Sequence, residues 1–134
     1  MVMMNYLIIT AQKIGVDKAI AYSSVDSANR VKAEAIICST LSGKTAKDIS
    51  NYRPSCPVIA ISPSSKVVRG LSINYGIIPI SVGMAETTDE LIELSLEAAK
   101  KVLDLSTGKK IVIVGSFPIK SVNYTNFMKI EEIK

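Results

Sequence analysis

The chain contains no histidine. That absence removes the commonest general base at neutral pH, the usual nitrogen ligand of zinc and any serine–histidine dyad. Cysteine is scarce too. The two present, Cys38 and Cys56, lie in or beside apolar strand-like runs. They read as reduced core thiols, because a disulfide framework in so small a chain needs more of them. Long apolar stretches are also missing: no run approaches the about 18–20 residues of a membrane-spanning helix, so no membrane partner is expected. The opening MVMMNYLIITAQK has neither a basic leader nor a small-residue cleavage site. It makes a poor signal peptide, and a cytoplasmic location is expected. Finally, no Lys/Arg block is interleaved with aromatic residues. The formal charge of +4 is spread over predicted helices beside Glu or Asp. Nucleic acid is therefore not expected, whereas a small anionic ligand suits such a balance. Carboxylates gather on the helix 89–97 and in the closing EEIK. Their spacing is that of a solvated face, not of a paired acid and base, and neither catalytic nor metal-binding residues emerge.

What is there points to one folded unit. The 134 residues, 48% of them hydrophobic, suffice for a single domain with its own core and are too apolar for disorder. Residues 5–14 and 17–31 read as helices, the second with Ala19, Ile20, Val25, Ala28 and Val31 at roughly helical spacing. EAIICS (34–39) suits a buried strand. A turn follows, then a helix near 44–52 that RPSCP breaks, since proline neither continues a helix nor lets its predecessor stay helical. VIAIS (58–62) is a second strand. SPSSKVVRGLSINYG is a helix capped by Ser64 or Ser65 and stopping near Gly70–Gly76. IIPISV (77–82) is a third strand, which Pro79 places at an edge. In TTDELIELSLEAAKKVLDLSTG, Thr87 or Thr88 caps a helix whose acidic start and Lys100–Lys101 end match its dipole, with Leu91, Leu94, Ala98 and Val102 on one face. KKIVIVGSF (109–117) and NFMKIEEI (126–133) complete the set as strands, the last alternating apolar and polar residues.

Strand and helix alternate three times, the signature of a parallel sheet with right-handed crossovers. Only about eight residues join the last two strands, too few for a crossover helix, so the fifth strand is expected antiparallel at an edge. The predicted fold is a three-layer α/β/α domain over 1–134, with 1–15 a leading helix and 16–134 the core. Its five-stranded mixed sheet has the order 3-2-1-4-5.

In such a sheet ligands sit beyond the carboxyl ends of the strands, where the order switches direction. The switch lies between strands one and four. The loop after strand one is Thr40-Leu41-Ser42-Gly43-Lys44-Thr45. Its hydroxyls can donate to phosphate oxygens, Gly43 lets the backbone come close, and the next helix starts there. It is not a nucleotide-hydrolysing P-loop, because Cys38 stands where the first glycine of that motif belongs. Taken alone, the turn reads equally well as a plain helix start.

The run AIICSTLSGKTAKDISNYRPSCPVIAISP closely resembles the carboxyl-terminal, regulatory α/β domain of pyruvate kinase. NYGIIPI and YTNFMKI match further parts of that domain, and 17–31 is similar to the helix leading into it. The resemblance runs from about residue 16 onward. It implies a five-stranded mixed sheet flanked by helices. It also implies that the catalytic barrel, with its lysine, metal-binding acids and phosphoenolpyruvate site, belongs to a part of the enzyme not represented here. The magnesium and potassium of the parent enzyme would bind there, and no cofactor is expected in this domain.

In family members regulated by phosphorylated sugars, the turn after strand one holds an effector phosphate. Carried over, that implies Thr40, Ser42, Gly43, Lys44 and Thr45, with Lys120, Ser121 and Asn123 in the loop after strand four as further effector contacts. Leu41 departs from the hydroxyl-rich form of the turn. GMAETTDEL lacks the tryptophan and arginine that hold a second phosphate, and the loop after strand four has no glycine beyond Gly115. A monophosphate, a nucleotide or no effector thus stays open. The partners implied are a phosphorylated small molecule, the parent barrel and a second copy joined through the last strand, since an exposed strand edge recruits strands. The competing readings are a stand-alone phosphosugar- or nucleotide-binding module and a purely structural dimerisation domain.

Overall fold

A computed structural model of the chain describes residues 14–74, 76–116 and 125–134. Most of the expected leading helix therefore lies outside the described residues, as do Lys120, Ser121 and Asn123. Ile14 and Gly15 are described and are not helical.

The first helix, α1 (Val16–Val31), starts after an extended Gly15, with Asp17 in its first turn, where a carboxylate complements the helix dipole. Its buried residues, Ala21, Ser24, Val25 and Ala28, are small, so the helix lies close to the sheet. It ends at Lys32, whose φ of 56° is left-handed. Then follow β1 (Ile36–Ser39), α2 (Lys44–Asn51), β2 (Val58–Ser62), α3 (Ser65–Leu71), β3 (Ile77–Ser81), α4 (Thr88–Val102), β4 (Lys110–Gly115) and β5 (Phe127–Glu132). The sheet order is β3-β2-β1-β4-β5, as expected. All pairs are parallel except β4–β5, which is antiparallel.

Strand side chains alternate between the two faces, and the aligned register keeps each set together. Ile36 pairs with Val58 and Val112, and Ile37 with Ile59 and Ile113. Ile36, Cys38, Val58, Ala60, Val112 and Val114 face α1, α2 and α3, meeting Ala21, Val25, Ala46, Ile49 and Leu71. Ile37, Ile59, Ile61, Ile111 and Ile113 face α4 through Leu91, Ala98 and Ala99. Among the described residues, three helices thus cover one face and one covers the other. Truncating a buried isoleucine such as Ile59 to alanine would cost about 2–5 kcal/mol.

The helix caps follow the sequence expectation, and one helix face departs from it. Helix α3 stops at Leu71, within the expected Gly70–Gly76 stretch. Its cap is Ser64, whose Oγ accepts from the Val67 N–H. Thr87 caps α4 by accepting from the Glu90 N–H at 3.1 Å, while Glu90 accepts in turn from the Glu86 N–H. Val102 is 41% exposed and not part of the buried face; Ser95 and Ala99 take that place. Ala99 in the last turn of α4 and Leu103 just past it pack on the sheet, and Val102 between them turns to solvent. Pro79 lies on β3, which is an edge strand as expected.

Candidate functional site

Strand β1 has neighbours on both sides, β2 and β4, and the turn that leaves it emerges at the reversal of strand order. The Thr40 N–H donates to the Ile61 carbonyl at 3.0 Å, which carries the β1–β2 ladder one residue into the turn. Thr40 is buried, and its Oγ1 accepts from the Gly43 N–H at 2.8 Å. That bond folds the chain back over four residues. Gly43 completes the bend with φ 85°, in the left-handed region that side chains disfavour. A Cβ there would meet Leu71 Cδ2 of α3 at 3.2 Å, so the position needs glycine twice over. Helix α2 begins at the next residue.

The five predicted residues are brought together by this bend. Ser42 and Lys44 are exposed, and Thr45 is half-buried. The Ser42 Oγ accepts from the Lys44 N–H at 3.2 Å. An accepting hydroxyl still has its own proton to donate, so Ser42 remains able to hold an oxyanion. Leu41 is 66% exposed at the tip.

Two partners of the turn were not among the residues the sequence singled out. Lys44, expected to meet an anionic ligand, has its Nζ 3.0 Å from Asp17 Oδ2 of α1. The pair raises the Lys44 ammonium above its ordinary range and lowers the Asp17 carboxyl below 3.8, chiefly through their mutual hydrogen bond. Thr45 Oγ1 lies 2.8 Å from Thr125 Oγ1, just before β5. Asp17 carried a weak sequence signal, as an acid in a first helical turn. Thr125 carried one only through its place in YTNFMKI.

Gly115, the last residue of β4, supports the same end of the sheet. A Cβ on it would meet Leu91 Cδ2 at 3.0 Å and Phe127 Cε1 at 3.3 Å. A cleft of about 480 Å³, lined by Ser50, Arg53, Pro54, Cys56, Val58 and Gly76, opens at the opposite, amino end of the strands. It contains none of the predicted residues.

Both cysteines are free thiols. Burial pushes the Cys38 thiol up to about 12, with Asp48 adding to the effect, so it is no nucleophile at neutral pH. Among the described residues, no three His, Cys, Asp or Glu side chains cluster as metal ligands. No helix among them is long and apolar enough to cross a membrane.

Residues 18–131 match the family model described as pyruvate kinase, alpha/beta domain. A pyruvate kinase of Clostridium perfringens is 42% identical over 115 residues, covering 86% of this chain and 24% of the relative. One from Clostridium acetobutylicum is 33% identical, covering 97% of this chain and 28% of the relative. Among solved structures, a pyruvate kinase from Cryptosporidium parvum superposes with a TM-score of 0.80 at 32% identity, over 92% of this chain and 24% of that one. The chain thus spans about a quarter of the length of these relatives.

Proposed function

This chain belongs to the pyruvate kinase family as its carboxyl-terminal α/β domain, and from that premise we propose that it serves as the enzyme's regulatory and assembly part, binding a phosphorylated small molecule at the turn after β1. The carrying observation is the bend at Gly43, which sets the exposed Ser42 hydroxyl and Lys44 at the start of α2, at the reversal of strand order. A helix start with free hydroxyl protons nearby favours an anion. Lys44 supplies the positive charge, and Thr40 and Thr45 shape the bend from beneath.

The family's chemistry is phosphoryl transfer, assigned here to the parent barrel. Magnesium and potassium belong with that barrel; the described residues offer no carboxylate cluster to hold magnesium, and no step is routed through it. The isolated chain should be inactive toward phosphoenolpyruvate and ADP. A cytoplasmic, glycolytic setting follows from the same reading. The second partner is another copy of the chain, meeting through β5 at the sheet edge.

A structural reading, with the turn vacant, is favoured by one observation: Lys44 already has Asp17 as counter-ion. The two readings separate in one experiment. Phosphorylated metabolites or inorganic phosphate should raise the melting temperature of the wild type, and Lys44→Gln should remove most of that gain. An equal gain in both proteins would rule out the turn as the site.

A further inference from the structure

The Lys44–Asp17 pair joins the turn to a different element, 27 positions earlier in the chain. Lys44 is 65% exposed and Asp17 25% exposed, so the carboxylate is the better sheltered partner. Asp17 does not depend on Lys44 alone. The backbone amides of Lys18 and of Asp17 itself also stabilise its charge, and a first-turn carboxylate complements the dipole of α1. Asp17 can therefore release Lys44 and remain a satisfied anion. Lys44, released, would keep Asp48 as an acidic neighbour. The pair has the features of an exchangeable contact: solvent reaches it, each partner has a second source of stabilisation, and exposed pairs are individually weak.

Resting on the anion-binding reading of this turn, we propose that Asp17 is a resident competitor that makes the turn selective for dianions, admitting a phosphate monoester and excluding carboxylates and other monoanions. A monoanion reaching Lys44 only replaces one single charge by another and must leave water to do so. A dianionic phosphate brings a second charge and three strong acceptor oxygens, so the Ser42 hydroxyl and the start of α2 can be engaged together with Lys44. Asp17 thereby acts as a specificity-determining residue that need not touch the ligand.

The test titrates the full chain at pH 8 and constant ionic strength with inorganic phosphate, and separately with acetate, following the amide NMR signals of Ser42 to Thr45. In the wild type, phosphate should move these signals and acetate should not. Asp17→Asn should bind phosphate about two- to fivefold tighter, the range that a released exposed ion pair allows, and should begin to respond to acetate. Asp17→Ser, which suits a helix start, provides a second neutral variant should Asp17→Asn fold poorly. Asp17→Glu should keep acetate excluded. A merely structural role would lower the unliganded melting temperature without altering the ratio of phosphate to acetate affinity. Unchanged or weaker phosphate binding in the neutral variants overturns the competitor. If phosphate moves no turn signal in any of the proteins, the regulatory reading falls with it. A silent wild type with responding neutral variants overturns the selectivity, because Asp17 would then close the turn to phosphate as well.

Discussion

The hydroxyls of Thr45 and Thr125, 80 positions apart in the chain, lie 2.8 Å from each other. One stands in the first turn of α2, the other just before β5, so this bond ties the turn after β1 to the edge of the sheet. Thr125 is 5% exposed. Thr45→Val leaves its hydroxyl without this partner in a place water scarcely reaches, and should cost about 1–3 kcal/mol in urea unfolding. The double variant Thr45→Val/Thr125→Val should be less destabilised than the sum of the two single ones, because neither hydroxyl is then stranded. Strict additivity would mean that the pair does not interact in solution.

Gly43 offers a sharper test of the bend. Gly43→Ala places a side chain at φ 85° and within 3.2 Å of Leu71 Cδ2. The left-handed conformation alone should cost about 1–2 kcal/mol, and the contact with α3 adds to it. Chemical denaturation of the two proteins reads this directly. A loss near zero would show that the turn has another conformation in solution.

The thiols should differ in reactivity and in their effect on stability. Cys38 is fully buried and pushed up to about 12, whereas half-buried Cys56 is raised less. Alkylation under native conditions should therefore modify Cys56 first and reach Cys38 only on unfolding. The folded Cys38 holds its proton more tightly than the unfolded one. Its contribution is complete below the unfolded value of 9.0 and is lost as pH rises from there toward 12. Stability measured from pH 8 to 10.5 should fall less steeply in Cys38→Ala than in the wild type. Identical slopes would remove Cys38 from the alkaline response.

Strand β5 should join two copies of the chain. It is an edge strand, and Ile130 is 42% exposed on it. Phe127 and Met128 are partly buried against opposite faces of the sheet, which fixes the strand in place. Lys129 pairs with Glu131 along it. Such an edge pairs readily with a second copy in a two-fold arrangement. Light scattering at micromolar concentrations should report a dimer, and Ile130→Glu, which introduces a charge at an already exposed position, should shift it to monomer. A monomeric wild type at high micromolar concentration would refute this contact.

The strand order, the antiparallel last strand and the caps of α3 and α4 were legible because each rests on local chemistry. Apolar runs of strand length, connections too short for a crossover, and Ser or Thr before a helix all act within a few residues. Gly43 was singled out for the close backbone approach it allows, and its left-handed φ of 85° emerged only in the structure. The fate of Val102 was not legible, because helical spacing admits either Val102 or Ala99 on the apolar face, and only packing decides which of them is buried. The partners of the site were hidden for a stronger reason. No propensity or spacing links Asp17 to Lys44 or Thr125 to Thr45; those contacts exist because α1 and the start of β5 converge on the carboxyl end of β1. The sequence alone determined which residues form the turn. Tertiary structure decided that Lys44 comes with a counter-ion and Thr45 with a hydroxyl partner, since side chains 27 and 80 positions away meet only once the sheet has assembled.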